Sequence, residues 1–218
     1  MTKFKIISLW LIVISPFIGL FLLVNLTSMG VFGDLPSFNQ LENPKNNLAT
    51  EIISEDGLVL GKYFFENRSK EKYSKLPENL IKALISTEDI RFREHSGVDM
   101  RALLRAIVGA IIGNSSSGGA STITQQLAKM LFTEQPSSGV ARITQKLKEW
   151  IISAQLEKRY TKDEILTMYL NQFDWVNNAV GTKSASMVYF NKDPIDLNVE
   201  ESAMLVGMLK NPALYNPN

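Results

Sequence analysis

The chain has 218 residues, a formal net charge of +1 and no cysteine, which excludes disulfides, thiolate zinc sites and a cysteine nucleophile. Apolar residues make up 45% of it and charged residues 21%, a composition typical of a packed core and not of a disordered chain. The single histidine, His95, excludes multi-histidine metal sites, and the near-neutral charge argues against a general nucleic-acid binder.

The first segment is a run of 28 residues, Ile6–Gly33, without any charged side chain. About 20 apolar residues in a helix cross a bilayer, so residues 1–33 are predicted to be a short tail and a retained single-pass anchor. Lys3 and Lys5 precede the run and Asp34 follows it. The positive-inside rule therefore places the N-terminus in the cytoplasm and the rest of the chain on the outer, periplasmic side of the inner membrane. A cleaved signal peptide is the alternative, but its apolar region is usually only about 7–15 residues long.

The segment after the anchor is predicted to be a linker over residues 34–49, because it is rich in Pro, Asn and Ser. A single domain is predicted over residues 50–218. It begins with two β-type runs, Thr50–Ser54 and Leu58–Phe65, on either side of Glu55-Asp56-Gly57. Runs of this kind around a turn sequence predict a small β-hairpin.

The remainder of the chain has the apolar spacing of helices. Pro77 stands where a first-turn proline belongs, and Thr161–Glu164 is a capping box. Asn198–Glu201 opens a last helix, which Asn211-Pro212 ends. Three more helical segments are predicted, over Met100–Ile112, Ser121–Phe132 and Arg142–Tyr160. The domain is therefore predicted to be mainly α.

Glu88 and Asp89 are the first candidates for chemistry, in the segment STEDIRFREHSGVD at the end of the first helix of the domain. A carboxylate beside apolar side chains is suited to general base catalysis. The alternative is a pair of solvated acids at a helix end. His95, taken by itself, is more typical of a structural hydrogen-bonding residue than of a catalyst.

A glycine turn followed by hydroxyl side chains forms the second candidate, Gly118–Gln126. Free backbone N–H groups and the helix dipole at such a helix start attract an anion, and Lys129 lies about one turn further along. The segment is not a nucleotide-binding P-loop, because G-x-x-x-x-G-K-[ST] is missing from it. The alternative is an ordinary N-cap after a flexible loop.

Arg142, Lys146 and Glu149 form the third candidate, because their i, i+4, i+7 spacing places them on one helix face. Two cations beside a carboxylate can bind a phosphate or orient a sugar. The alternative is a solvated face with intrahelical ion pairs.

Four segments resemble, in chain order, successive motifs of glycosyltransferase family 51: STEDIRFREHSGVD, GGASTITQQLAKMLF, QKLKEWIISAQLEKRYTKDEILTMYLNQ and VYFNKDPIDLNVEESAMLVGMLKNPALYNP. This family comprises the peptidoglycan glycosyltransferase domains of class A penicillin-binding proteins and their monofunctional relatives. The resemblance covers roughly residues 45–218. It implies a mainly α, lysozyme-like fold of two lobes.

The resemblance also implies a reaction. The family polymerises lipid II, an undecaprenyl-pyrophosphate-linked disaccharide-pentapeptide, into β-1,4-linked glycan strands with inversion at the anomeric carbon. Such a reaction needs a base at the acceptor hydroxyl and positive charge at the departing undecaprenyl pyrophosphate. The implied partners are lipid II, the nascent glycan strand, the membrane and other cell-wall synthesis proteins, without nucleic acid.

Motif positions imply roles for individual residues. Glu88 resembles the base, and Glu149 resembles the family's second glutamate, which orients the donor or helps to hold a divalent cation such as Mg²⁺ or Mn²⁺. No cofactor is expected to be obligatory. Lys129 and Lys146 are the candidates for neutralising the pyrophosphate. Residues expected to shape the cleft are Ser121, Thr122, Gln125 and Gln126, and residues expected to support it are Asp89, Phe92, His95 and Gly97.

The sequence departs from the family pattern in two places. The third motif usually begins Arg-Lys but here reads Gln145-Lys146, and Arg142, one turn earlier, is the candidate for the missing cation. The chain stops before the closing helix that the family usually adds, and it has no S-x-x-K and K-T-G motifs. These features predict a C-terminally truncated glycosyltransferase domain from the front of a longer, bifunctional protein.

The apolar segment Met100–Ile112 suits a lipid substrate. It is predicted to dip into the outer leaflet with Arg101 and Arg105 near the headgroups, and a core helix is the alternative.

Two other functions compete with the polymerase. A tethered lysozyme-like hydrolase with Glu88 as its acid leaves Ser121–Lys129 and Arg142–Glu149 unexplained. A non-catalytic scaffold or lipid II-binding fragment is the third interpretation.

Overall fold

The fold is described from a computed structural model, for residues 2–42, 50–56, 59–63, 70–113, 119–133, 136 and 138–216. Within these ranges the chain is mainly helical, which confirms the predicted fold class. The helices are α1 Thr2–Ser28, α2 Phe38–Glu42, α3 Glu78–Glu88, α4 Met100–Ile112, α5 Ile123–Phe132, α6 Gly139–Glu157, α7 Lys162–Gln172, α8 Thr182–Phe190, α9 Val199–Lys210 and α10 Pro212–Tyr215.

Two short strands, β1 Thr50–Ile53 and β2 Val59–Tyr63, pair antiparallel. Thr50 lies opposite Tyr63, and the register shifts between Ile52 and Ile53. Gly57 and Leu58, which belong to the predicted turn and to the start of the second predicted run, lie outside the described residues.

Helix α1 contains the predicted anchor. Its segment Phe4–Ser28 is long and apolar enough to cross a membrane, and the apolar part of this helix is not buried against the rest of the protein. Pro16 lies inside it, which transmembrane helices tolerate. The end of α1 contacts α6, and Thr27 is fully buried there.

The core of the domain is formed where α5 packs against α6 and α7, and α3 packs against α9. The side chains involved repeat every three or four residues along each helix, as expected of faces that bury an apolar stripe. Fully buried members include Leu80, Leu84, Ile123, Leu127, Ile152, Leu156, Ile165, Leu166, Tyr169, Trp175 and Leu205.

Side-chain caps determine where several helices start. Thr161 and Asn198 both form capping boxes, which confirms the predicted starts of α7 and α9. Helix α5 begins at Ile123 and not at Ser121 as predicted, because Thr122 adopts an extended conformation and its hydroxyl accepts from the Gln125 N–H. Helix α6 begins at Gly139, three residues before the predicted start, with Ser138 as its cap.

Some elements were not predicted from the sequence. Helix α8 was missed, and so was the short α2, which lies within the segment predicted as linker. The side chain of Leu41 in α2 is only 1% exposed and belongs to the core, while the Leu41 carbonyl accepts from the Tyr160 hydroxyl at 2.8 Å. Part of this segment is therefore packed against the domain.

Helix α4 presents its apolar side chains to the outside. Only Ala102 and Gly109 are buried, whereas Leu104, Ile111 and Ile112 are exposed by 58%, 79% and 75%. The alternative of a core helix is therefore wrong for Met100–Ile112.

Candidate active site

A cleft of about 1180 Å³ lies between α3, α4, α5, α6 and α9. It collects residues from all three candidate motifs, although the first and the last of these residues, Glu88 and Glu149, are more than 50 positions apart in the sequence. The predicted site residues that line it are Glu88, Asp89, Ser121, Thr122, Gln125, Gln126, Lys129, Arg142, Lys146 and Glu149. Phe92, His95 and Gly97, predicted as support, are not among the lining residues.

Glu88 is the last residue of α3 and is partly buried at the cleft wall. Its Oε2 atom accepts a hydrogen bond from the Gln126 Nε2 at 2.8 Å. The Gln126 Oε1 accepts in turn from the Tyr169 hydroxyl at 2.9 Å. The Glu88 carboxylate is thus held by the Gln126 amide, and the Tyr169 hydroxyl in turn fixes the orientation of that amide.

Asp89 also lines the cleft, but its carboxylate joins neighbouring elements. The side chain of Asp89 is buried, and its Oδ2 accepts from the Ile123 backbone N–H at 3.1 Å and from the His95 Nε2 at 3.0 Å. Because a carboxylate accepts, His95 carries its proton on Nε2. These contacts dock the segment after α3 onto the start of α5, and the support role of both residues stays a prediction.

Phe92 lies in the core beneath this pair. It is fully buried, its ring meets the His95 ring edge-on at 6.2 Å between centroids, and the Lys162 Nζ lies 4.2 Å from its centroid. Lys162 also donates to the His95 carbonyl and to Glu157, each at 2.7 Å. The support residues therefore connect the cleft wall to α6 and α7.

The second motif is held by the Gly97 carbonyl. This oxygen accepts from the Thr122 hydroxyl at 2.6 Å and from the Gln125 Nε2 at 3.3 Å. Thr122 also caps α5, so the hydroxyl-rich start of that helix has a fixed position at the cleft.

Lys146 and Glu149 form a charged pair where α6 lines the cleft. The Lys146 Nζ donates to the Glu149 Oε2 at 2.9 Å and to the Ser121 Oγ at 2.7 Å. Glu149 is only 5% exposed, and burial of an unpaired carboxylate is costly. The lysine therefore compensates the buried carboxylate and joins the second motif to the third.

Lys129 and Arg142 are exposed side chains at the cleft. Within the described part of the chain, neither is in an ion pair. Their charges are consequently available to an anionic ligand, and this positive charge near partly buried walls favours anion binding.

Further cleft residues escaped the sequence analysis. Arg91 binds Asp99 through two nitrogens at 2.6 and 3.0 Å, and Asp99 also caps α4 through the Ala102 N–H. Burial opposes ionisation of Asp99, but the Ala102 N–H and the Arg91 guanidinium outweigh it and lower the pKa of this carboxyl. An aspartate just before an apolar helical run is a recognisable cap signal. Other lining residues without a predicted role are Thr133, Gln145, Phe173 and Lys210.

Whether the cleft could hold a metal ion depends on the acidic side chains among the described residues. Within the described ranges, no three His, Asp or Glu side chains are grouped so that they could hold a metal ion. Glu149 offers one carboxylate that already accepts from Lys146, and an ammonium group beside it opposes a cation. The expectation about a divalent cation at Glu149 therefore stays a prediction.

Residues 56–218 match the family model described as Transglycosylase, in agreement with these motifs and their cleft. The chain belongs to this family, which confirms the resemblance found in the sequence. It is 37% identical over 195 residues to penicillin-binding protein 1A of Neisseria lactamica, covering 89% of this chain and 24% of that protein. For penicillin-binding protein 1A of Pseudomonas aeruginosa the identity is 33% over 209 residues, covering 96% and 25%. The chain thus spans about a quarter of the length of these relatives.

Proposed function

We propose that this chain is a peptidoglycan glycosyltransferase that polymerises lipid II into β-1,4-linked glycan strands and releases undecaprenyl pyrophosphate. The observation that carries the proposal is the composition of one cleft. A carboxylate, Glu88, lies on one wall, and a cationic cluster with a second carboxylate lies on α6. An inverting transfer from a pyrophosphate donor requires a base at one end and positive charge at the other.

Glu88 acts as the base in this proposal. It accepts the proton of the acceptor 4-hydroxyl while that oxygen attacks the anomeric carbon, and the bond to the pyrophosphate breaks on the opposite face. The new bond is β because the departing group was α. Inverting glycosidases activate water in the same way, with the acceptor hydroxyl here in the place of water.

The departing pyrophosphate is stabilised by cations. Lys146 is held beside the cleft by Ser121 and Glu149, while Lys129 and Arg142 extend into it from neighbouring helices. Fixed positive charge at the site where negative charge develops lowers the barrier without reorganisation. Thr122, Gln125 and Gln126 line the same cleft and shape it.

Glu149 orients this cationic end. Its carboxylate is buried and accepts from Lys146, so it holds the ammonium group in one position. The same geometry allows it to orient the donor sugar.

The membrane arrangement follows from two apolar helices. Helix α1 anchors the chain with its N-terminus in the cytoplasm, according to Lys3 and Lys5, and the catalytic domain then lies on the periplasmic side. The exposed apolar side chains of α4 enter the outer leaflet, where the lipid tail of the substrate lies. Arg105 of α4 lines the cleft, which brings the headgroup region next to the proposed site.

Labelled lipid II tests the proposal directly. The detergent-solubilised chain is incubated with it beside Glu88→Gln and a matched control, Glu78→Gln, which alters an exposed carboxylate of the same helix. Glycan ladders from the wild type and the control, but not from Glu88→Gln, are expected. Neither ladders nor lipid II binding from a folded wild-type sample would contradict the proposal, and equal ladders from Glu88→Gln would contradict the role of the base.

A further inference from the structure

A chain of hydrogen bonds links Glu88 to a residue that has no part in the cleft. The Gln126 Nε2 donates to the Glu88 Oε2 at 2.8 Å, and the Tyr169 hydroxyl donates to the Gln126 Oε1 at 2.9 Å. Tyr169 is fully buried on α7 and is not a lining residue of the cleft. Its hydroxyl therefore reaches the carboxylate only through Gln126.

The chemistry of the three groups fixes the direction of this chain. An ionised carboxylate can only accept, so the nitrogen of the Gln126 amide faces Glu88 and its oxygen faces Tyr169. The tyrosine must then donate. Burial, followed by the negative charge of Glu88, raises the pKa of the Tyr169 hydroxyl, so the hydroxyl keeps the proton that it donates.

We propose that Tyr169 is a positioning residue for the proposed base, because it holds the Gln126 amide in the one orientation that binds the Glu88 Oε2. The inference rests on the proposed function. With Oε2 held, the other carboxylate oxygen, for which the described residues offer no hydrogen bond, is left for the acceptor hydroxyl. A glutamate side chain otherwise samples several rotamers, and ordering it has an entropic cost.

Loss of the Tyr169 hydroxyl should impair turnover and not substrate binding. The Gln126 Oε1 would lose its donor at a partly buried position, which favours rotation of the amide. Glu88 would then lose its fixed orientation, whereas the cations proposed to bind the pyrophosphate, Lys129, Arg142 and Lys146, stay in place. Because small misplacements of a catalytic group have large effects on rate, kcat should fall about tenfold or more in Tyr169→Phe while KM changes little.

A kinetic double-mutant cycle distinguishes this chain from two independent contributions. Lipid II polymerisation is measured for Tyr169→Phe, Gln126→Met and the double variant. If both substitutions break the same chain, the kcat of the double variant equals that of Gln126→Met. Tyr189→Phe is the matched control, since it removes a partly buried tyrosine hydroxyl that donates to the Trp175 carbonyl at 2.6 Å. The kcat of this variant should stay unchanged. Multiplicative losses in the double variant would overturn the inference.

A second readout does not depend on activity. The side-chain amide signals of Gln126 are recorded by ¹⁵N–¹H NMR and assigned by their loss in Gln126→Met. They should move in Tyr169→Phe and in Glu88→Gln but not in Tyr189→Phe. Unmoved Gln126 signals in Tyr169→Phe would overturn the inference whatever the activity. A wild type that neither binds nor polymerises lipid II would instead contradict the proposed function, with the amide signals still testing the chain.

Discussion

Gly97 lies directly against the backbone of helix α6 at Ser153: a Cβ atom on Gly97 would be 2.8 Å from the carbonyl carbon and the carbonyl oxygen of Ser153. The residue also has a φ of +93°, a conformation that L side chains rarely adopt. Its carbonyl meanwhile accepts from Thr122 and Gln125. One glycine thus brings the segment after α3 into contact with both α5 and α6, and both of these helices line the cleft.

Gly97→Ala should therefore be strongly destabilising. A side chain in this left-handed conformation costs about 1–2 kcal/mol. The overlap of the added Cβ with the Ser153 backbone, which cannot rotate away, costs about 1–3 kcal/mol more. The free energy of unfolding of the detergent-solubilised chain, measured by chemical denaturation, should fall by about 3 kcal/mol. Gly113→Ala is the matched control, because Gly113 has a φ of +75° but nothing within 4 Å of an added Cβ. Equal losses of unfolding free energy in Gly97→Ala and Gly113→Ala would show that the overlap with Ser153 does not destabilise the fold.

The pair Lys146–Glu149 should contribute more to stability than a surface ion pair. Lys146→Met leaves a buried carboxylate without its cation, which should lower the free energy of unfolding by about 1–3 kcal/mol. Adding Glu149→Gln should recover part of the loss, because the unpaired charge is then gone. Lys82→Met is the control: its partner Glu78 lies 2.6 Å away, but both side chains are more than two-thirds exposed, so a loss below about 0.5 kcal/mol is expected. A double variant less stable than Lys146→Met would contradict the prediction.

Arg142 should strengthen donor binding. Arg142→Ala is expected to raise the KM for lipid II about tenfold, the effect of one lost charge-assisted hydrogen bond. The difference from the wild type should shrink as the salt concentration rises, because exposed charges are screened. Lys158→Ala removes an exposed cation at the opposite end of α6 and should leave the KM unchanged. An unchanged KM for lipid II in Arg142→Ala would exclude this residue as the replacement for the missing motif arginine.

Asp99 should make stability depend on pH in the acidic range. The lowered pKa of the Asp99 carboxyl means that its ionised form is favoured in the folded state. The stability that Asp99 contributes is therefore complete above the pKa of the unfolded chain, about 3.9. It is lost as the pH falls through the lower pKa of the folded state. Asp99→Asn keeps a good N-cap residue but loses the charge that binds Arg91. Its stability deficit should be constant between about pH 5 and 7 and shrink below about pH 4, as measured by denaturation across that range. Asp196→Asn, at an exposed position, controls for the loss of one negative charge. A stability deficit of Asp99→Asn that does not change with pH would contradict the role of the Asp99–Arg91 pair.

Local signals in the sequence predicted the parts of the fold that depend on near neighbours. Thr161 and Asn198 cap their helices through residues three positions away, so the capping boxes were visible in the sequence. Helix α8 was missed because its segment TKSASMVYF is rich in small and hydroxyl side chains and lacks a clear apolar stripe.

The candidate site was predictable only as far as its motifs reach. The resemblance located Glu88, Lys146 and Glu149, and the structure brings them to one cleft. It did not indicate Tyr169, whose contact with Gln126 joins positions 43 residues apart. Such a contact depends on how α5 packs against α7, which no local pattern encodes.

Helix α4 should lie in the lipid when the chain is reconstituted into vesicles. The sequence has no cysteine, so Ile111→Cys places a single environment-sensitive fluorophore on the outer apolar face of α4. Ile111 is 79% exposed, and burying such a side chain in the acyl region is favourable by about 1.5–3 kcal/mol. Lipids brominated on their acyl chains should therefore quench this fluorophore. Lys158→Cys, exposed at the end of α6, provides the matched position that is expected to remain in water. Equal quenching at the two positions would mean that the apolar face of α4 is not the surface that meets the membrane.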